Sequence, residues 1–160
     1  MYLSLYKSIR TLLADGFGMH IDETDGRIMD ASDSPVKDIQ WFADQYDRTI
    51  HTAPVVLVEF QDLDFTKVTK QTGNVLINIR IHVVTETESE SDGDVLYPSI
   101  EAHERLAVSV RNMLEGWCLD FAGGETRPIY TVKWGHNHNY RGYMVTWIEL
   151  ETKGQLPAVV

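Results

Sequence analysis

His136 and His138 stand one residue apart and are the sharpest metal-like signal in the chain. On a strand, side chains at i and i+2 point the same way, so both imidazoles could reach one ion. A stable site needs further ligands, and nothing nearby at suitable spacing supplies them. Asn137 and Asn139 are turn-forming types, so the segment reads as a turn. A small metal-binding enzyme built on His136 and His138 is the alternative. His103 lies on an apolar helical stripe and His82 on the wet face of a strand. Each reads as a packed or surface histidine, because no carboxylate or nucleophile can be placed beside it from the sequence. His20 and His51 carry less signal still.

Cys118 is the sole cysteine, so an intrachain disulfide and a multi-cysteine zinc site are excluded. Its neighbours Trp117 and Leu119 make it read as a small hydrophobe in a reducing compartment. Gly123-Gly124 lacks the flanking strand and the Lys-Ser/Thr of a phosphate-binding loop. No Gly-x-Ser-x-Gly elbow is present either. No catalytic residue and no cofactor site are assigned, and the chain reads as a non-enzyme.

Glu86, Glu88, Glu90, Asp92 and Asp94 fall within nine residues. The spacing is not that of an EF-hand loop, and like charges this dense read as a solvated loop. They add to a formal net charge of -10, from 14 basic and 24 acidic residues. That balance excludes a tight grip on nucleic acid, which needs clustered Lys and Arg.

The elements that must position these groups follow from periodicity. Tyr2, Leu5, Tyr6, Ile9, Leu12 and Leu13 form one helical face, ended by Asp15-Gly16. Residues 22–35 read as a polar loop, and Val36 to Tyr46 as a short helix or strand. Pro54 to Phe60 is apolar on both faces, as in a strand covered on both sides near its start. Val75, Ile77, Ile79, Ile81 and Val83 alternate with polar residues, which predicts a half-wet strand. Ile100, His103, Leu106, Ala107, Val110, Met113, Leu114 and Trp117 make a second helical stripe, with Ser99 as its cap. Ile129 to Trp134 and Tyr143 to Leu150 read as a hairpin. Trp41, Trp134, Tyr140, Tyr143 and Trp147 divide between core and interface.

The 160 residues therefore predict one α+β domain over residues 1–152 and a flexible tail over 153–160. Its sheet is mostly antiparallel, with four to five strands and two main helices on one face. The amphipathic N-terminus does not read as a signal peptide, and no apolar run reads as a membrane span.

Pro54-Val-Val-Leu-Val-Glu-Phe60, Gly73-Asn-Val-Leu-Ile-Asn-Ile-Arg-Ile-His-Val-Val84, the helix from His103 to Trp117 and Tyr143-Met-Val-Thr-Trp-Ile-Glu149 occur in that order. This order resembles the tail-terminator, or tail-completion, proteins of long-tailed phages and prophages. The resemblance covers roughly residues 1–152 as an order of elements. It implies a structural ring, usually a hexamer, that ends the tail tube and offers a surface to the head connector, without a cofactor. A connector protein of the neck is the neighbouring alternative. The implied partners are further copies of the chain, the tail-tube protein and the connector, with DNA passing unbound. The implied place is the virion, assembled in the bacterial cytoplasm. On the same analogy the acidic loop, with Glu86, Glu88, Glu90, Asp92 and Asp94, faces a partner or the lumen. The long insert at 22–35 and the acidic loop depart from the family pattern.

Overall fold

A computed structural model describes residues 1–43, 53–67, 73–87, 94–137 and 142–156. The chain opens with α1 (Tyr2–Phe17) and continues through β1 (His20–Ile21), β2 (Ile28–Asp30), β3 (Asp38–Trp41), β4 (Val55–Lys67) and β5 (Gly73–Glu86). Then come α2 (Tyr97–Leu114), β6 (Asp120–Phe121), β7 (Gly124–Glu125), β8 (Tyr130–Asn137) and β9 (Tyr143–Leu156). Five strands form the main sheet in the order β3-β4-β5-β9-β8. Only the β3–β4 pair is parallel. The α+β class and the mostly antiparallel sheet agree with the sequence reading.

α1 runs past the expected stop at Asp15-Gly16 and ends at Gly18, whose left-handed φ of 69° places its N–H on the Ala14 and Asp15 carbonyls. Gly16 lies inside the helix, where a Cβ would meet the Met113 sulfur at 2.5 Å. The missing side chain lets α1 and α2 approach. α2 starts at Tyr97, two residues before the expected Ser99 cap, with Pro98 in its first turn. It stops at Leu114, so Trp117 leaves the stripe and is exposed. Glu101 and Arg105 pair across its outer face, as their four-residue spacing predicts.

Alternation decides the sheet's faces. Val75, Ile77, Ile79, Ile81 and Val83 on β5, with Ile148 and Leu150 on β9, meet Leu5, Ile9 and Leu13 of α1 and Leu106, Val110 and Leu114 of α2 in one core. Val55, Leu57, Val84 and Val145 form a second, smaller cluster on the other face, with Phe42 and Tyr143 against it. The start of β4 is thus covered on both sides, as its unbroken apolar run predicts. β5 and β9 have 14 residues each and span about 46 Å. The 18-residue α2 spans about 27 Å. The excess length of β9 is covered by Phe121, which sits against Gly154 at the sheet's far end.

Several expectations change. Residues 22–35 are not all loop: β2 pairs back onto β1. The short element after Pro35 is a strand, β3. β9 continues through Leu156, so residues 153–156 belong to the sheet and not to a tail. Their backbone is held by β5, from Gly73↔Leu156 to Leu76↔Lys153. Residues 157–160 lie outside the described residues.

Candidate functional site

The sheet face opposite the helices carries a row of alternating charge. Register puts Glu59 of β4 beside Arg80 of β5, Arg80 beside Glu149 of β9, and Glu149 beside Lys133 of β8. Arg80 donates through Nη2 to Glu149 Oε1 at 2.6 Å and through Nε to the same oxygen at 3.2 Å. Its Nη1 lies 3.6 Å from Glu59 Oε2. Opposite charges directly across a sheet stabilise it, and here one guanidinium serves two carboxylates.

His82 joins this row. Its Nε2 lies 2.8 Å from Glu59 Oε2, and the ring of Phe42 stacks on it at 4.6 Å. The residue is buried, which corrects the reading of His82 as wet and without a carboxylate. The cross-strand neighbour that supplies Glu59 comes from a strand 23 residues away. Burial pushes the His82 pKa below the ordinary histidine value, Glu59 pulls it back up, and Arg80 pushes it further down. Replacing Arg80 with Met is expected to raise the His82 pKa, because it removes the neighbouring positive charge. NMR titration of the imidazole resonances checks this. The same variant is expected to lose about 1 kcal/mol of stability by urea unfolding, since both carboxylates keep partial access to water.

Trp147 lies across the row. Arg80 sits 5.4 Å and Lys133 5.2 Å from its ring. The indole occupies the space over Gly135, its partner on β8, where a Cβ would approach the ring to 2.2 Å. The glycine seats the tryptophan, and the tryptophan positions both cations.

A second polar constellation lies on the helix face, with His103 and Thr146 buried, Thr85 half-buried and His136 exposed. His103 of α2 is held between two threonines, with Nδ1 2.7 Å from Thr85 Oγ1 and Nε2 2.8 Å from Thr146 Oγ1. Thr146 Oγ1 also lies 3.0 Å from Nδ1 of His136. Burial, then the positive charge His136 can carry, push the His103 pKa down to about 4. The imidazole is therefore neutral at pH 7, donating from one nitrogen and accepting at the other. Among the described residues no carboxylate bonds to it, and with His103 1% exposed this relay pins helix to sheet.

The remaining candidates divide. His136 directs Nδ1 at Thr146, and His138 lies outside the described residues. Among the described residues, no group of three His, Cys, Asp or Glu side chains is placed to hold a metal ion. Glu86 and Asp94, at the two ends of the acidic loop, are exposed; Glu88, Glu90 and Asp92 lie outside the described residues, as do Tyr140 and His51. Cys118, read as a small hydrophobe from its apolar neighbours, is exposed, because α2 has already ended and Leu119 is the neighbour that turns inward. Trp41 and Trp134 are exposed, at 41% and 38%. Tyr143 and Trp147 are half-buried. A concavity of about 730 Å³ between α1 and the β1–β2 turn is lined by both signs of charge, Lys7 and Arg10 against Asp15, Asp22 and Asp25. No helix among the described residues is long and apolar enough to cross a membrane.

No family model matches the chain, and no curated protein matches it. Its fold is shared with a chain in the virion of a native gene transfer agent particle. The two align over 95% of each chain with a TM-score of 0.53 and 12% sequence identity. At that identity the likeness is one of fold.

Proposed function

We propose that this chain is a structural protein of a phage-like virion, and within it a tail terminator that forms a ring on the end of the tail tube and joins it to the head connector. The observation that carries the reading is the end-to-end match of its fold to a chain of a virion particle. A protein of this kind needs surfaces for other copies and for neighbours, and the charged, tryptophan-bearing sheet face and the exposed Trp41 and Trp134 supply them. The net charge of -10 suits a passage through which DNA moves without adhering. The acidic loop from Glu86 to Asp94 then lies on a rim or lumen, and no catalytic step is assigned to any residue.

Removing the gene from cells that produce the particle tests this. Electron microscopy is expected to show tail tubes of uncontrolled length and heads without tails, both corrected by supplying the gene in trans. Tubes of normal length beside unjoined heads would move the chain to the connector. Intact, infectious or DNA-transferring particles would remove it from the virion altogether.

A further inference from the structure

The two ends of the main sheet differ, and each leaves part of its edge open. On one side β3 covers only Val55 to Val58 of β4. The edge of β3 itself is sealed by side chains: the Ile39 N–H donates to Asp38 Oδ1 at 2.8 Å, and the Ile39 carbonyl accepts from the Tyr6 hydroxyl at 3.3 Å. Beyond Val58, no strand among the described residues pairs with the outer side of β4, and there the Tyr2 hydroxyl donates to the Gln61 carbonyl at 3.4 Å and leaves the rest of the segment unpaired by any strand. On the other side, Ile129 exchanges backbone bonds with Gly116 and Trp117, and the Thr131 N–H donates to the Glu115 carboxylate at 3.0 Å. Past Thr131 the ladder shifts register, and Val132, Lys133 and Trp134 present an outer edge with no paired strand among the described residues.

These open segments match in direction and in charge. Three antiparallel steps separate β4 from β8, so the two strands run in opposite directions. A second copy placed without inversion would continue the antiparallel pattern. The β4 edge carries Glu59, Asp62 and Asp64, with Phe65 56% exposed beside them. Neither Asp62 nor Asp64 makes an ion pair among the described residues. The β8 edge carries Lys133 between the exposed Val132 and Trp134. Lys133 ends the row Glu59–Arg80–Glu149–Lys133, and among the described residues it meets the Trp147 ring but no carboxylate. The next charge that the alternation calls for is negative.

We propose that copies of this chain join head to tail, the β8 edge at Val132 to Trp134 of one meeting the β4 edge at Glu59 to Phe65 of the next. The charge row then runs on from Lys133 to the acids of the neighbour, and Phe65 meets Val132 and Trp134. Such a contact is heterologous and closes into a ring when its rotation permits. The inference rests on the ring reading above and names its interface.

Two full-length variants test it, Lys133→Glu and the double variant Asp62→Lys/Asp64→Lys. The first is acidic at both edges; the second is basic at the β8 edge and carries two lysines beside Glu59 at the β4 edge, a net positive charge. Sedimentation velocity is read on the wild type, on each variant and on their equimolar mixture, with circular dichroism checking the fold. Each variant alone is expected to self-associate about tenfold or more weakly than the wild type, since like charges meet at every contact. The mixture is expected to recover the wild-type oligomer, because alternating copies restore opposite charges. Recovery also shows that both variants are folded. A wild type that forms rings which neither variant disturbs overturns the edge assignment and leaves the ring reading standing. Folded variants that fail to assemble when mixed also overturn it, as does loss of tail-tube binding with the rings intact, which would give these edges to the tube. A wild type that stays monomeric at every concentration, with and without tail-tube protein, overturns both readings.

Discussion

Acidification from pH 7 to pH 4 is expected to remove roughly 3 kcal/mol of folding stability through His103 alone, taking about 1.4 kcal/mol per unit between 6.5 and about 4. The sign follows from proton binding. The folded-state pKa lies below the unfolded value, so between the two the unfolded chain binds the proton and the folded chain does not. The contribution is complete above pH 6.5 and is lost as the pH falls toward 4. Two threonine hydroxyls can satisfy a neutral imidazole, one donating and one accepting. The same hydroxyls could turn to accept from an imidazolium, but its charge would be taken out of water, and among the described residues no carboxylate bonds to the ring to offset it. His82, also held below its ordinary pKa, adds in the same direction. Urea unfolding at pH 7.5, 5.5 and 4.5 measures the loss. His103→Gln is expected to lower stability at pH 7.5 and to flatten the dependence below pH 6.5. A pH profile in this variant as steep as in the wild type would assign the acid sensitivity to other groups.

Truncating Phe121 to Ala is expected to cost about 3–5 kcal/mol, and replacing Gly154 with Val about 1–3 kcal/mol. The two are coupled. Phe121 is 1% exposed, and its ring lies so close over Gly154 that a Cβ there would stand 2.5 Å from it. β9 bends no side chain into that space because the aromatic ring already fills it. Valine at 154 must displace Phe121, whereas in the Phe121→Ala background it enters a vacated volume. A double-mutant cycle by thermal or urea unfolding is therefore expected to show the Gly154→Val cost shrinking or changing sign when Phe121 is absent. Additive costs would mean that β9 relaxes independently of the ring. The effect matters beyond stability, because Phe121 packs on the far end of β9 at Gly154, and the open β4 edge at Phe65 lies at the same level of the sheet.

Much of the scaffold was legible locally. The alternation from Val75 to Val83 identified β5 and its core face, and the apolar run after Pro54 identified a strand covered on both sides. The helical stripes at Leu5, Ile9 and Leu13 and at Leu106, Val110 and Leu114 identified both helices and the side they bury. These signals are periodic within one segment, and the period is imposed by backbone geometry that each segment carries by itself. Segment ends were less legible. Gly16 read as a stop because glycine usually ends a helix, but here it makes room for Met113 from a helix about one hundred residues later.

The site was hardly legible. Arg80 and Glu149 lie 69 residues apart, and His103 and Thr146 lie 43 apart. Neither pairing has a local signature: Arg80 meets Glu149 through strand register, where a slip of one residue would turn the set to the other face, and His103 meets Thr146 only where α2 packs on the sheet. His82 looked wet because it occupies the polar phase of β5. Only Phe42, arriving from β3's end, and Glu59 from β4 make that position buried and bonded. What the sequence determined by itself was the class of domain, the order of its elements and the phase of each apolar face, all consequences of local period and composition. The tertiary structure alone decided which charges meet across the strands, which histidine is neutral inside the protein and which edge segments stay open, since those depend on how distant strands align and on what covers them.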